Sequence, residues 1–373
     1  MSHHQLTYVL ITPHAVRKGR TGGILARLLS QSGLELVGGR FFNPSNELSE
    51  GLSASFSEQE LTAHYLQNDL SQSEHRALVL LLQGPDAISK ISAIVGDDEK
   101  MHGHGETLRD TYGDHFIIEG GCDESCEDSC EEDCDESCDE EDCSAIFYFE
   151  PGVIAPHNKK QAEEGLALFA QFSETDGGIL DASIEFPEGA ALEKTLVLIK
   201  PDNFRFPNTR PGGVIDLLTQ TGLALVGFKV HNMSVAQAKE FYGPVLEVLE
   251  AKLPDGRMHW ESIIAFMSGA RPSECAEEKH PLPGSERCVA LIYQGEEAVS
   301  KIRKALGPTD PSKAPHGTIR KEFGQDIMVN GAHASDSTES FLREIKIINL
   351  EEDNFKALIK ADLEAPKHSC CSH

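Results

Sequence analysis

Two stretches, Gln31-Ser-Gly-Leu-Glu-Leu-Val-Gly38 and Gln220-Thr-Gly-Leu-Ala-Leu-Val-Gly227, differ at only two of their eight positions. In each stretch, a glycine suited to ending a helix precedes apolar residues that predict a strand. The same helix-to-strand junction therefore occurs twice in one chain, 189 residues apart. This arrangement indicates an internal duplication.

The repeat continues towards the C-terminus. Leu82-Gln-Gly84 returns as Tyr293-Gln-Gly295, and Thr107-Leu-Arg109 returns as Thr318-Ile-Arg320, in the same order. The offset between matching residues grows from 189 to 211, mostly because of residues 270–287. That stretch is rich in proline, glutamate and serine, which predicts a surface loop.

Each half has the apolar pattern of a strand, a helix, two strands, a second helix and a last strand. This βαββαβ order predicts the α+β class, with two ferredoxin-like domains whose antiparallel sheets carry helices on one face. A doubly wound parallel sheet is disfavoured because its phosphate loop, GxxxxGK(S/T), is absent. The predicted strands are Tyr8–Ile11, Leu34–Phe42, Ala77–Leu82 and Ala145–Phe149, then Thr195–Ile199, Leu223–His231, Val289–Tyr293 and Lys346–Leu350.

The duplication sets the predicted domain boundaries. Residues 1–152 form a degenerate first domain with an acidic, cysteine-rich insert at 122–143, and residues 192–352 form the second domain. Residues 153–191 are predicted to be a helical connector followed by a linker rich in glycine and glutamate. Residues 353–373 are predicted to be a C-terminal tail.

The composition excludes several classes of protein. The formal net charge of −28 argues against general nucleic-acid binding, because phosphate backbones repel such a chain. No apolar run approaches the roughly 20 residues that a membrane-spanning helix needs, and the N-terminus lacks the pattern of a signal peptide. We therefore expect a cytoplasmic protein with neither membrane nor nucleic-acid partners.

The stretch Asn330-Gly-Ala-His-Ala-Ser-Asp-Ser337 places a histidine just before a predicted helix. Asp336 and Ser337 are good N-cap residues, and Glu339 follows Asp336 as in a capping box. The unpaired N–H groups of such a helix start favour anions. Because neutral imidazole is abundant near pH 7, His333 is a candidate nucleophile.

Several cations and polar donors lie at fixed distances from this histidine. Lys200 ends a predicted strand, Arg303 lies near the end of a helix with Thr309 just beyond it, and Arg320 comes ten residues before Asn330. Guanidinium groups offer paired donors to phosphate oxygens, and an ammonium offers a compact charge. This set beside a nucleophile predicts a triphosphate site and phosphoryl transfer.

The second half resembles nucleoside diphosphate kinase. Ile199-Lys-Pro-Asp202, Gly307-Pro-Thr-Asp-Pro311, Gly317-Thr-Ile-Arg320 and Asn330–Ser337 match that family's motifs in order and spacing. The resemblance covers about residues 192–350 and, in degraded form, about residues 5–150. It implies that His333 takes the γ-phosphate from a nucleoside triphosphate and passes it to a nucleoside diphosphate. It also implies Mg²⁺ that is bound with the nucleotide, and self-association through the kinase-like domains.

The resemblance also implies a role for each matching side chain. Glu344 bonds the second imidazole nitrogen of His333, and Ser335 assists that pair. Tyr242 lies beside the phosphates, and His259 stands where the family has a phenylalanine that stacks on the base, with Trp260 next to it. The implied nucleotide-binding residues are Lys200, Tyr242, His259, Arg303, Thr309, Arg320 and Asn330.

The first half lacks most of these groups. Ungapped comparison places Thr12 opposite Lys200, Ser92 opposite Arg303, Glu119 opposite Asn330 and Cys122 opposite His333, and only Arg109 keeps its charge. We therefore expect no triphosphate binding there and a structural or pairing role instead. Cys122 is a poor nucleophile because its acidic neighbours disfavour the thiolate.

The insert itself holds thirteen Asp or Glu, six Cys and three Ser in 22 residues. One interpretation is a disordered acidic loop. The other is a site for Zn²⁺ or another divalent ion, although the spacing differs from a CxxC motif. The candidate ligands are Cys122, Cys126, Cys130, Cys134, Cys138 and Cys143. The alternative function is thus a catalytically weak nucleotide-binding scaffold with a metal-binding segment.

Overall fold

A computed structural model describes residues 4–71, 76–97, 105–118, 146–181 and 184–365. The elements of the first half are β1 His4–Ile11, α1 Pro13–Arg17, α2 Thr21–Ser32, β2 Glu35–Phe42, α3 Asn46–Ser55, α4 Glu60–Asn68, β3 Ala77–Pro85, α5 Ala87–Val95, α6 Leu108–Tyr112, β4 Asp114–Ile118, β5 Ile146–Glu150, β6 Val153–Ile154 and α7 Lys159–Phe172. A short strand, β7 Gly177–Gly178, follows.

The second half largely repeats this order, with three α-helices instead of two between its second and third strands. Its elements are β8 Leu192–Ile199, α8 Arg210–Thr219, β9 Ala224–His231, α9 Val235–Phe241, α10 Gly243–Lys252, α11 Gly256–Ser268, β10 Cys288–Glu296, α12 Ala298–Leu306, α13 Ile319–Phe323, β11 Ala332–Ala334, α14 Thr338–Ile347 and α15 Asn354–Glu364. No helix among the described residues is both long and apolar enough to span a bilayer.

A glycine with a left-handed backbone follows the helix in each of the two repeated stretches. Gly33 (φ +63°) caps α2, and Gly222 (φ +73°) follows the last turn of α8. Glycine adopts this left-handed backbone at little cost, so the chain reverses there and enters a central strand.

Each half contains an antiparallel sheet. The strand orders are β6-β1-β3-β2-β7 and β11-β8-β10-β9, and all strand pairs in them are antiparallel. Ile11 lies opposite Leu78, and Ile199 lies opposite Val289. The predicted class, two antiparallel α+β halves in tandem, is confirmed.

The last predicted strand of the second half is wrong, whereas that of the first half forms but does not close the main sheet. Residues 346–350 end helix α14 and the turn after it, and β11 closes the second sheet instead. Residues 146–150 pair with β4 in a separate hairpin, and β6 closes the first sheet. In the second half, the short apolar run has no period that distinguishes a strand from a helix end, so the pattern was misleading.

The boundary after residue 152 also differs from the structure. Strand β6 pairs with β1, and helix α7 buries Leu166 and Phe169 against Tyr8 of that same half. The first part of the predicted connector therefore completes the first half, and the chain crosses to the second half after β7, which still pairs with β2.

The two halves share one apolar core. Helix α2 packs along α8, where a Cβ on Gly212 would lie 2.2 Å from the carbonyl oxygen of Gly22. Only glycines allow the two backbones to approach so closely. The core between them contains Ile24, Leu25, Leu28, Val214, Ile215 and Leu218.

Helix α15 returns from the second half to the first. Phe355 and Ile359 are buried in the first half's outer core, where the rings of Phe355 and Phe42 lie 5.7 Å apart. The predicted tail therefore begins as a packed helix.

Candidate active site

Strand pairing brings the two main candidate groups to one edge of the second sheet. His333 lies in β11 opposite Leu198 of β8. Lys200 directly follows β8, and its backbone N–H donates to the carbonyl of Gly331 at 3.0 Å. The lysine and the histidine therefore leave neighbouring chain segments on a common framework.

A buried carboxylate orients the imidazole of His333. Nε2 lies 3.1 Å from both carboxylate oxygens of Glu344, and the Ser335 hydroxyl donates to the same carboxylate at 2.6 Å. Glu344 is 3% exposed and projects from α14, which Ser337 caps. Because Nε2 faces a carboxylate, it carries the proton, and Nδ1 keeps its lone pair for nucleophilic attack.

Two aromatic rings flank the imidazole. The rings of Phe241 and Tyr242 meet His333 edge-on, with centroids 5.0 and 6.2 Å away. Burial raises the pKa of Tyr242, so its phenol stays protonated. The Tyr242 hydroxyl is buried and has no hydrogen-bond partner among the described residues. It is therefore a free donor beside the histidine.

Lys200 is held by the loop before β11. Its Nζ donates to Asn330 Oδ1 at 2.7 Å and to the Met328 carbonyl at 3.0 Å. Burial and then the positive charge of Arg320 lower the pKa of Lys200 to about 8. A bound anion would oppose both effects, because it stabilises the ammonium form.

Arg320 lies in α13, and its guanidinium joins the residue that follows α12 to strand β11. It donates to the carbonyls of Gly307 at 2.9 Å and Ala332 at 3.4 Å, while its buried Nε has no partner within the described ranges. Burial and the nearby Arg303 lower the pKa of Arg320 to about 10. Arg303 and Thr309 are exposed, and the Thr309 carbonyl accepts from Asn330 Nδ2 at 3.2 Å.

Two of these groups are hydrogen-bond donors that have no acceptor in the described part of the chain. The Tyr242 hydroxyl and Arg320 Nε are buried donors without partners, and such groups in native proteins usually have a ligand, water or ion to bond. Arg320 lies close enough to Lys200, and Arg303 close enough to Arg320, to lower the pKa of that neighbour, and within the described ranges none of the three forms an ion pair with a carboxylate. An anionic oxygen ligand satisfies both the donors and the charge.

Comparison with known proteins agrees with this chemistry. The family model described as "Nucleoside diphosphate kinase" matches residues 5–126 and 193–354. The chain belongs to the nucleoside diphosphate kinase family. It is an enzyme of that family with the fold present twice, so the predicted family, enzyme class and duplication are confirmed.

Each of two curated nucleoside diphosphate kinases matches a little less than half of the chain. Those of Staphylothermus marinus and Hydrogenovibrio crunogenus are 33% and 32% identical over 161 and 166 residues. The matches cover 43% and 44% of this chain and 95% and 99% of those proteins.

Two solved kinase structures also match. That of the Aquifex aeolicus kinase (29% identity, TM-score 0.32) covers 42% of this chain and 95% of that one. A vanadate and ADP complex of the Borrelia burgdorferi kinase (26% identity, TM-score 0.34) covers 44% and 89%.

The two rings expected near the base differ in role. His259 is exposed at the start of α11, 3.1 Å from the Asp255 carboxylate. Trp260 is buried, and its indole N–H donates to the Tyr242 carbonyl at 2.8 Å. Trp260 therefore holds the backbone of Tyr242, and only His259 is free to stack on a base.

The insertion at 270–287 packs beside α9. Its His280 carbonyl accepts from the backbone N–H of Ala236 at 2.9 Å. At its end, Arg287 pairs with Glu35 of the first half at 2.8 Å. The insertion therefore adds a contact between the two halves of this nucleoside diphosphate kinase family chain.

The first half's counterpart of His333 is Ile154, which corrects the predicted Cys122. Thr12 N–H donates to the Gly152 carbonyl at 3.0 Å, as Lys200 does to Gly331, and Ile154 lies opposite Leu10 of β1. Counting from these glycines, Pro151 takes the place of Asn330, where Glu119 was predicted. The insert at 122–143 separates the earlier motifs of the first half from β6, so an ungapped comparison aligns His333 with a residue of the insert and not with a residue of β6. The sequence signal was Gly-x-x-Ala at 152–155 and 331–334.

The counterpart of Glu344 is also lost. Asn158 and Ser337 cap corresponding helices, and the same offset places Gly165 opposite Glu344. A Cβ on Gly165 would lie 2.3 Å from the Tyr8 hydroxyl, so a tyrosine fills the space. Glu119, Cys122 and the five other candidate metal-ligating cysteines lie outside the described residues, and their roles stay predictions.

Proposed function

We propose that the second half transfers the γ-phosphate of a nucleoside triphosphate to a nucleoside diphosphate through a phosphohistidine on His333. The carrying observation is the Glu344–Nε2 contact, which leaves Nδ1 as the nucleophilic nitrogen. In the first step, Nδ1 attacks the γ-phosphorus and the bond to the bridging oxygen breaks, releasing the diphosphate. In the second step, a terminal oxygen of the acceptor diphosphate attacks the same phosphorus, and the P–N bond breaks.

The surrounding cations supply the electrostatic part of catalysis. Lys200, Arg303 and Arg320 hold phosphate oxygens and stabilise the charge that spreads over them in the transition state. The Tyr242 hydroxyl and the Asn330 and Thr309 side chains complete the donors, and His259 supports the base. The Glu344 carboxylate stabilises the imidazolium character that develops on His333.

Mg²⁺ fits this site as a companion of the nucleotide. Lys200, Arg303 and Arg320 supply positive charge to this site, and no group of three or more His, Cys, Asp or Glu side chains among the described residues is arranged to hold a metal. Bound to the phosphates, Mg²⁺ would offset their charge, since it commonly keeps its waters and few protein ligands.

The first half is proposed to be catalytically silent. Thr12, Ser92, Pro151 and Ile154 replace the lysine, an arginine, the asparagine and the histidine of the second half. A cytoplasmic location, self-association and the alternative of a metal-binding scaffold remain predictions of the sequence.

The test is phosphohistidine formation with γ-labelled ATP. We expect one label per chain at His333, on Nδ1, and loss of both the label and diphosphate exchange in His333→Asn. His316→Asn, at an exposed histidine of the same half, is the matched control and should keep both. Label or exchange that persists in His333→Asn would refute the proposal.

A further inference from the structure

The side chain of Asn203 ties together the two segments that carry Lys200 and His333. It ends a short 3₁₀ turn, Pro201–Asn203, and is 0% exposed. Its Nδ2 donates to the Lys200 carbonyl at 3.0 Å and to the Gly331 carbonyl at 2.8 Å. One amide therefore bridges the end of β8 and the start of β11.

The orientation of this amide follows from its neighbours. Only the nitrogen can face two carbonyl oxygens favourably. The Oδ1 atom is buried and unpartnered within the described residues, so the bridge is kept although it leaves an acceptor unsatisfied. Asn203 also lines a cavity of about 200 Å³ together with Leu34 and Leu36 of the first half.

The first half provides an internal comparison. Thr12 and Gly152 make the same backbone hydrogen bond as Lys200 and Gly331, at 3.0 Å in both halves. Counting from Thr12, the position of Asn203 is occupied by Ala15, which has no side-chain donor. The framework therefore forms without the amide, and the amide occurs only in the half with the histidine.

The bridged carbonyl lies at a sensitive point. Gly331 has φ +81° and stands between Asn330, which accepts from Lys200 Nζ, and the strand with His333. Asn330 and His333 lie on opposite sides of this peptide. A small rotation of the peptide therefore moves the Asn330 amide, which holds Lys200, in one direction and the His333 imidazole in another. Two donors on one carbonyl, Lys200 N–H and Asn203 Nδ2, oppose that rotation.

We infer that Asn203 is a positioning residue that fixes Lys200 and His333 at the separation needed for phosphoryl transfer. This inference rests on the proposed function of His333. Asn203 acts through the two backbone carbonyls and touches neither nucleotide nor phosphorus. Its loss should therefore slow the chemical step more than it weakens nucleotide binding.

The experiment compares Asn203→Ala and Asn203→Asp with the wild type. Both carbonyls keep a backbone donor in the alanine variant, namely Asn203 N–H and Lys200 N–H, so it should fold with nearly the wild-type melting temperature. Misplacement by less than 1 Å costs up to about 100-fold in rate. We expect a roughly 10- to 100-fold fall in the single-turnover rate of His333 labelling, with KM changed less than about threefold. The aspartate variant has nearly the same shape but repels both carbonyls, and it should be slower still.

Asn232→Ala is the matched control. Asn232 also donates to two carbonyls, those of Gly284 and Glu286 at 3.2 Å, but it lies at the insertion. It should keep the wild-type labelling rate. Equal labelling rates in Asn203→Ala and wild type, or a loss that only follows melting temperature, would overturn the inference. Absence of label in the wild type itself would instead refute the proposed function.

Discussion

In the proposed mechanism, the Glu344 carboxylate sets which nitrogen of His333 reacts. The effect of its charge can be tested with a substitution that keeps its shape. Glu344→Gln keeps the size and one acceptor but cannot stabilise a developing imidazolium. We expect the rate of His333 labelling to fall about 10²- to 10³-fold, within the usual range for a positioned acid or base. Single-turnover labelling measures this.

Ser335→Ala is the comparison variant, because it removes one donor to Glu344 and keeps the charge. It should lose less activity than Glu344→Gln. A glutamine variant that labels at the wild-type rate would mean that the carboxylate only supports the fold.

Lys200 predicts a pH dependence. Burial and Arg320 lower its pKa to about 8, so above that pH the free enzyme loses the positive charge that attracts phosphate. We therefore expect kcat/KM for the triphosphate to fall as the pH rises through about 8, by about tenfold per unit well above it. A guanidinium stays charged in this range, so Lys200→Arg, although slower, should have a flatter profile. The same falling limb in both variants would assign it to another group.

The sequence identified the residues that carry the chemistry of the site better than the residues that hold its backbone in place. The spacing of His333 from Lys200, Arg303 and Arg320 suggested phosphate chemistry, and the family resemblance added Glu344. The indole of Trp260 and the amide of Asn203 act through backbone carbonyls in space. No spacing along the chain reveals such contacts, which is why the sequence suggested only base stacking for Trp260 and gave Asn203 no role.

At the scale of elements, the repeated helix-to-strand junction predicted both sheets, because glycine caps and apolar strands are local properties. The closing strands were missed for a different reason. Strand β6 has two residues and β11 has three, too few for a period. In the first half, 27 undescribed residues also separate β4 from β5. The match between Gly152–Ala155 and Gly331–Ala334 was therefore recognised only from the pairing of β6 with β1.

This placement predicts that restoring a histidine will not restore the first site. Ile154→His in a His333→Asn background puts an imidazole at the corresponding position of β6. Its surroundings are Thr12 in place of a lysine and Gly165 in place of the orienting glutamate, with Tyr8 in that space. We expect less than about 1% of the wild-type label, since catalytic groups act together and not singly. Appreciable label from γ-labelled ATP would show that the first half still binds triphosphate.

At the scale of the whole molecule, the first half is part of the structural support of the second half. Helices α2 and α8 share a core, Arg287 pairs with Glu35, and Leu34 and Leu36 line the cavity beside Asn203. Helix α15 adds Phe355 and Ile359 to the first half's core. A chain connected this way should unfold in one step, because separating the halves exposes apolar surface on both.

Phe355→Ala tests that cooperativity. The ring is 1% exposed in the first half's outer core, so its removal should cost about 3–5 kcal/mol of unfolding free energy. Lys360→Ala, at an exposed position of the same helix, should cost little. The chain's only tryptophan, Trp260, is buried in the second half, so its fluorescence reports on the half that does not contain the altered core. If the halves unfold together, denaturant midpoints from fluorescence and from circular dichroism will fall equally in Phe355→Ala. An unchanged fluorescence midpoint beside a lowered dichroism midpoint would show that the halves unfold independently.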